Sequence, residues 1–118
     1  MRNLEPRVHR QRLVIEAKYG RDIDRELVRQ YLLDLAKALE MTVHLEPIIT
    51  SATGKGDPIH DGFEGVIFWL ESGATIYVWE RLKFLTVDIY TCKAFDTKKA
   101  IEFTKNYFNI SELEHQEL

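Results

Sequence analysis

Residues 66–92 read VIFWLESGATIYVWERLKFLTVDIYTC, and their alternation sets the fold. Apolar and polar residues take turns at a period of two, the mark of strands with one buried face. The pattern predicts three consecutive strands over 66–71, 74–79 and 84–92, with a tight Ser72-Gly73 turn joining the first two. In the third, Leu85, Val87 and Ile89 are expected under a covering layer. That leaves Thr86, Asp88, Tyr90 and Cys92 on the opposite face, and Thr75, Tyr77 and Trp79 likewise share one face of their strand.

Upstream of this core, residues 13–19 alternate as a strand ended by Gly20, with Glu16 out of step with its apolar neighbours. Asp24 is an N-cap, and Ile23 and Val28 are spaced for a hydrophobic staple. Leu27, Val28, Tyr31, Leu32, Leu35 and Leu39 then mark the buried stripe of a helix running to about Glu40. A further strand is expected over 42–49. Residues 50–65 hold four of the six glycines, plus Pro58, and are expected to form a loop. Downstream, Asp96 caps a second helix through about Phe108, with Ala100, Phe103 and Tyr107 inward, and Asn109 can end it. The tail is expected to be a short edge strand or frayed.

The order β-α-β-β-β-β-α with hairpin-length links predicts an α+β fold. It is a two-layer α/β sandwich, an antiparallel sheet with two helices on one face, and a single domain over 1–118. The other sheet face would hold Asp, Tyr, Cys and Trp, which suits a half-solvated sheet, a ligand pocket or a partner subunit.

Composition narrows function by exclusion. A formal net charge of −3 and a 45% hydrophobic share are those of an ordinary globular domain. They offer no basic surplus for nucleic acid, and the one basic cluster, Arg2, Arg7, Arg10 and Arg12, reads as a solvated lead-in. The longest apolar run, 66–70, is a strand's length rather than a membrane span, and no apolar segment follows Met1. The single cysteine cannot close an internal disulfide, so a reducing, cytoplasmic location is expected. Asp57, His60 and Asp61 lack metal-ligand spacing, residues 54–57 (Gly-Lys-Gly-Asp) lack that of a phosphate loop, and no metal is expected.

Two motifs in fixed register carry a resemblance. Residues 71–79 (ESGATIYVW) followed by 87–92 (VDIYTC) resemble the core of the prokaryotic S-adenosylmethionine decarboxylases, which read roughly E-S-H-x-[ST]-I-H-T-W-P-E and then V-D-[VIL]-[FY]-T-C-G. The likeness extends upstream through residues 13–16 and the first helix, and downstream through residues 99–102. It implies a pyruvoyl-dependent enzyme of spermidine synthesis. In that family the serine hydroxyl attacks the preceding carbonyl, and elimination then leaves a pyruvoyl group that acts as electron sink for decarboxylation. Carried over, Glu71-Ser72 is the cleavage site, Ser72 the pyruvoyl precursor, and Cys92 the residue that reprotonates the product. Glu16, Phe63, Trp79 and Asp88 correspond to positions around the ligand, S-adenosylmethionine or a similar molecule. The family also implies a homo-oligomer, a dimer first.

The sequence departs from the family where processing is concerned. The processing histidine is Tyr77, and a phenol is a poorer general base than an imidazole. The assisting serine is Glu64, the histidine after the cleavage serine is Gly73, Trp-Pro-Glu becomes residues 79–81 (Trp-Glu-Arg), and the glycine after the cysteine is Lys93. The expected protein is a diverged, uncleaved relative that binds its ligand or acts as a regulatory subunit. Two alternatives stand beside it: an active decarboxylase that self-cleaves at Glu71-Ser72, and a pyruvoyl-free lyase in which Glu64 and Tyr77 form a new site.

Overall fold

In the computed structural model, which describes residues 1–54 and 56–118, the alternating segments pair into one antiparallel sheet. Its strands are β1 (Gln11–Lys18), β2 (Ile48–Ala52), β3 (Gly62–Trp69), β4 (Ser72–Trp79), β5 (Phe84–Thr91) and β6 (Glu112–Glu117). They lie in the order β2-β3-β4-β5-β1-β6. Two helices, α1 (Arg25–Ala38) and α2 (Thr97–Tyr107), pack against each other on one face. Leu13, Ile15, Ile67, Ile76, Leu85, Val87 and Ile89 point into that layer and are almost wholly buried. This is the expected sandwich.

The helices begin and end for the reasons the sequence supplies. The Asp24 carboxylate accepts the Leu27 N–H at 2.8 Å, and the Asp96 carboxylate accepts that of Lys99 at 3.2 Å. Asn109, at φ 51°, stops α2 in the left-handed region. Between the helices, the buried Tyr31 and Thr104 hydroxyls meet at 2.7 Å, and Thr104 also donates to the Ala100 carbonyl at 2.9 Å. The tail does form an edge strand, β6, paired with β1.

Three boundaries differ from expectation. The β3–β4 hairpin turns at Leu70-Glu71, with Trp69 paired to Ser72, so Ser72 and Gly73 belong to β4. Glu71 supplies the turn by adopting φ 58°, a left-handed conformation unusual for a residue with a side chain. The strand expected over 42–49 is only an isolated bridge, Val43 to Trp69, followed by β2, which runs on to Ala52. The glycine-rich stretch likewise ends in strand. Gly62 and Gly65 lie inside β3, where a Cβ on Gly65 would stand 2.9 Å from the Val28 side chain of α1. These glycines admit close packing, which resembles loop chemistry when only composition is visible. In the remaining loop, Asp57 and Asp61 accept the Ile59 and Gly54 N–H groups in local turns, while Lys55 of the glycine-flanked motif lies outside the described residues.

Candidate functional site

The start of β4 and the end of β5 meet at one end of the sheet. There the Cys92 N–H donates to the Ser72 hydroxyl oxygen at 3.0 Å, which places the two motif residues side by side. Ser72 follows directly on the left-handed Glu71, so the Glu71–Ser72 peptide sits in the hairpin turn. The segment after Cys92 is pinned from two sides. The Gln11 side chain exchanges two hydrogen bonds with the Phe95 backbone, at 2.9 and 3.2 Å, and the Lys93 ammonium donates to the Glu40 carbonyl at 2.6 Å. Lys93 therefore turns away from Ser72 and ties the loop to the end of α1.

The open face of the sheet carries the remaining candidates in cross-strand rows. One row runs Glu16, Thr86, Tyr77, Glu64, and the next runs Val14, Asp88, Thr75, Val66. Tyr77 and Glu64 are thus direct partners, as a paired site requires. They do not reach Ser72 within the chain. Tyr77 lies five positions beyond Ser72 in β4, about 17 Å of extended strand, and the pleat sends their side chains to opposite faces. Within one chain, Tyr77 at the processing position is therefore a strand's length from the cleavage bond. Trp79 lies one further step along, 5.2 Å from the Phe84 ring and 6.4 Å from Tyr77. Glu16, Trp79 and Asp88 all share the open face. Phe63 does not: its parity within β3 puts it with Ile67 and Trp69, packed against the core margin beneath the helices. A ligand platform on the open face cannot use it.

A third row was missed by sequence reasoning. Arg12, Tyr90, Gly73 and Phe68 stand next to one another across β1, β5, β4 and β3. Gly73 has no side chain, so a hollow of about 470 Å³ opens above it, with Phe68, Tyr90, Val14, Thr75 and Asp88 around it. The Arg12 guanidinium lies 5.2 Å from the Tyr90 ring centroid, and the Cys92 thiol lies 3.6 Å from the Tyr90 hydroxyl. That thiol contact, with a little burial, holds the Tyr90 phenol above the ordinary tyrosine range against the downward pull of Arg12 and Arg10. The signal available in sequence was Gly73 itself, a gap within a strand.

The family model described as S-adenosylmethionine decarboxylase matches residues 15–118. The chain belongs to the S-adenosylmethionine decarboxylase family. It is 29% identical over 107 residues to the S-adenosylmethionine decarboxylase proenzyme of Clostridium botulinum strain Langeland, covering 90% of this chain and 89% of that one. The proenzyme of the Loch Maree strain is 30% identical over the same shares. In structure the chain is similar to the adenosylmethionine decarboxylase of Aquifex aeolicus VF5, with a TM-score of 0.74 over 94% of this chain and 89% of that chain. At 22% identity that likeness concerns the fold. Among the described residues, no helix is long and apolar enough to cross a membrane, and no three metal-ligating side chains cluster.

Proposed function

We propose that this family member binds S-adenosylmethionine, or a closely similar sulfonium nucleoside, on the open sheet face without cleaving its own Glu71–Ser72 bond. The observation that carries the uncleaved state is the pair at the processing positions, the Tyr77 phenol facing the Glu64 carboxylate across two strands, where the family has a histidine and a serine. The serine hydroxyl has a backbone N–H beside it, and the phenol and carboxylate in the processing positions are a strand's length away. The ligand class rests on family membership and on charge. The open face presents Glu16, Asp88 and Glu64 among the Trp79, Phe84 and Tyr77 rings, and carboxylates with aromatic faces attract a sulfonium cation.

A second reading, an active decarboxylase, is favoured by one specific observation: Ser72 and Cys92 are held side by side at a left-handed Glu71. The site fits a pyruvoyl precursor to that extent, and the group, once made, would supply an electron sink for loss of carbon dioxide. Cys92 would then stand ready to hold a proton beside it. The open face, with Ile48, Phe68, Tyr77 and Tyr90 exposed, also supports pairing of two copies. In that pairing Tyr77 of one copy would approach Ser72 of the other.

Calorimetric titration tests the ligand. S-adenosylmethionine is expected to bind at least tenfold more tightly than S-adenosylhomocysteine, its uncharged thioether counterpart. Equal affinity, or none for either, would overturn the sulfonium reading.

A further inference from the structure

The loop that carries Cys92 is closed on a single residue. Gln11 opens β1 opposite Thr91, the last residue of β5, and the Thr91 hydroxyl donates to the Gln11 carbonyl at 3.5 Å. Beyond this pair the two strands part, and residues 92–95 belong to no strand. The Gln11 side chain takes over where the ladder stops. Its Nε2 donates to the Phe95 carbonyl at 2.9 Å, and its Oε1 accepts the Phe95 N–H at 3.2 Å. One carboxamide thus meets both backbone groups of Phe95, as a paired residue of an antiparallel strand would. The loop leaves from the Gln11 backbone and returns to the Gln11 side chain.

Both bonds are half-buried and the Phe95 ring packs on the margin of the core, so water competes poorly for the closure. Only one orientation of the amide serves it. A flipped group would set its NH2 against the Phe95 N–H and its oxygen against the carbonyl. The other tether, Lys93 to the Glu40 carbonyl, is exposed, and a lysine gives up much rotamer freedom to make it. Within the closed loop the Cys92 N–H donates to the Ser72 hydroxyl at 3.0 Å. No strand ladder holds that contact, because pairing between β4 and β5 stops at Gly73 and Tyr90.

We propose that Gln11 is a positioning residue that holds Cys92 against Ser72. Its amide bonds to neither of them. It fixes the span of the loop from Thr91 to Phe95, and with it the place of the Cys92 N–H. With that donor directed at the hydroxyl oxygen, the Ser72 proton is turned away from the Cys92 backbone and left free for another acceptor. The inference goes beyond both readings above, because the closure requires neither the cutting nor the keeping of the Glu71–Ser72 bond.

Hydrogen exchange of the Cys92 amide, followed by NMR in the full chain, tests it. Gln11→Ala removes both side-chain bonds to Phe95, and the Cys92 amide should then exchange roughly tenfold faster than in the native chain. Ser72→Ala, which removes the acceptor, should give a similar rise, and adding Gln11→Ala to it should add little. The amides of Leu13 and Ile15, in the middle of β1, should keep their native rates in these variants. Gln11→Glu keeps the acceptor for the Phe95 N–H and loses the donor near neutrality. Its Cys92 amide should exchange faster than the native one at pH about 7 and approach it at pH about 4, where a protonated carboxyl can donate again. His9, 3.4 Å from the Gln11 Oε1, and Asp96, next to Phe95, titrate in both chains, so each rate is compared with the native chain at the same pH. A Cys92 amide unmoved by Gln11→Ala would overturn the proposal. So would a rise shared equally by Leu13 and Ile15, which marks a general loosening of β1, or an excess rate in Gln11→Glu that is the same at both pH values.

Discussion

Gly73 and Ser72 show what single residues contribute here. Read in sequence they resemble a turn, because Ser-Gly is turn chemistry and Leu-Glu is not. The chain instead turns one pair earlier and puts the positive φ on Glu71; a turn at Ser72-Gly73 would extend the pairing to Glu71, whose place in step with Ile67 and Trp69 is on the core face. Keeping that carboxylate out of the core offsets the local cost of a left-handed glutamate, of order 1 kcal/mol. Gly73→Ala is therefore expected to destabilise by about 1–3 kcal/mol, read from the urea midpoint, because its methyl group meets the Ile67 carbonyl. The motif register singled out Ser72 and Cys92, and the fold brings them side by side. The side of β3 that Phe63 occupies was not legible because its stretch looked like loop, where no face can be read. The separation of Tyr77 from Ser72 follows from β4 starting at Ser72, which the turn expected at Ser72-Gly73 hid. Restoring the family's residues with the double variant Tyr77→His, Glu64→Ser should therefore give cleavage that vanishes on dilution to single chains. Cleavage that persists at nanomolar concentration, followed by mass spectrometry, would contradict this geometry.

At the scale of elements, the order of strands and helices followed from periodicity and caps, whereas β2 and the start of β3 did not. Gly62 and Gly65 were read as breakers, yet they are where the sheet lets β4 and α1 come close. The link between α1 and α2 was only half visible. Tyr31 stood on the expected stripe, but Thr104, wholly buried beneath it, gives no hydrophobic signal. The two hydroxyls predict an asymmetry. Tyr31→Phe leaves Thr104 bonded to the Ala100 carbonyl and should cost about 0.5–1.5 kcal/mol. Thr104→Val strands the Tyr31 hydroxyl in the core and should cost more, about 1–3 kcal/mol. Chemical denaturation of both variants gives the order, and the reverse order would show that the pair does not hold the helices together.

For the whole molecule, tyrosines set the alkaline limit. Burial, with Glu80 and Asp22 adding repulsion, pushes Tyr19 up to about 12, and burial with the Asp34 contact pushes Tyr107 up to about 12. Burial pushes Tyr31, deep in the core, up as well. Each is raised above the unfolded value near 10, so the protonated phenols contribute stability that is fully present below pH about 10. That contribution is lost as pH rises toward the folded values. Thermal melts should be flat in this respect near neutrality and fall steeply above pH about 10, and Tyr31→Phe should flatten the fall. The acidic, aromatic open face is likewise a property of the assembled sheet, since Glu16, Tyr77, Glu64 and Asp88 come from four strands. Whether that face serves an uncleaved chain is answered most directly by intact mass after long incubation at neutral pH and high concentration. A single full-length species of 13.9 kDa is the expected result. Two fragments, one ending at Glu71 and the other opening with a pyruvoyl group in place of Ser72, would contradict it.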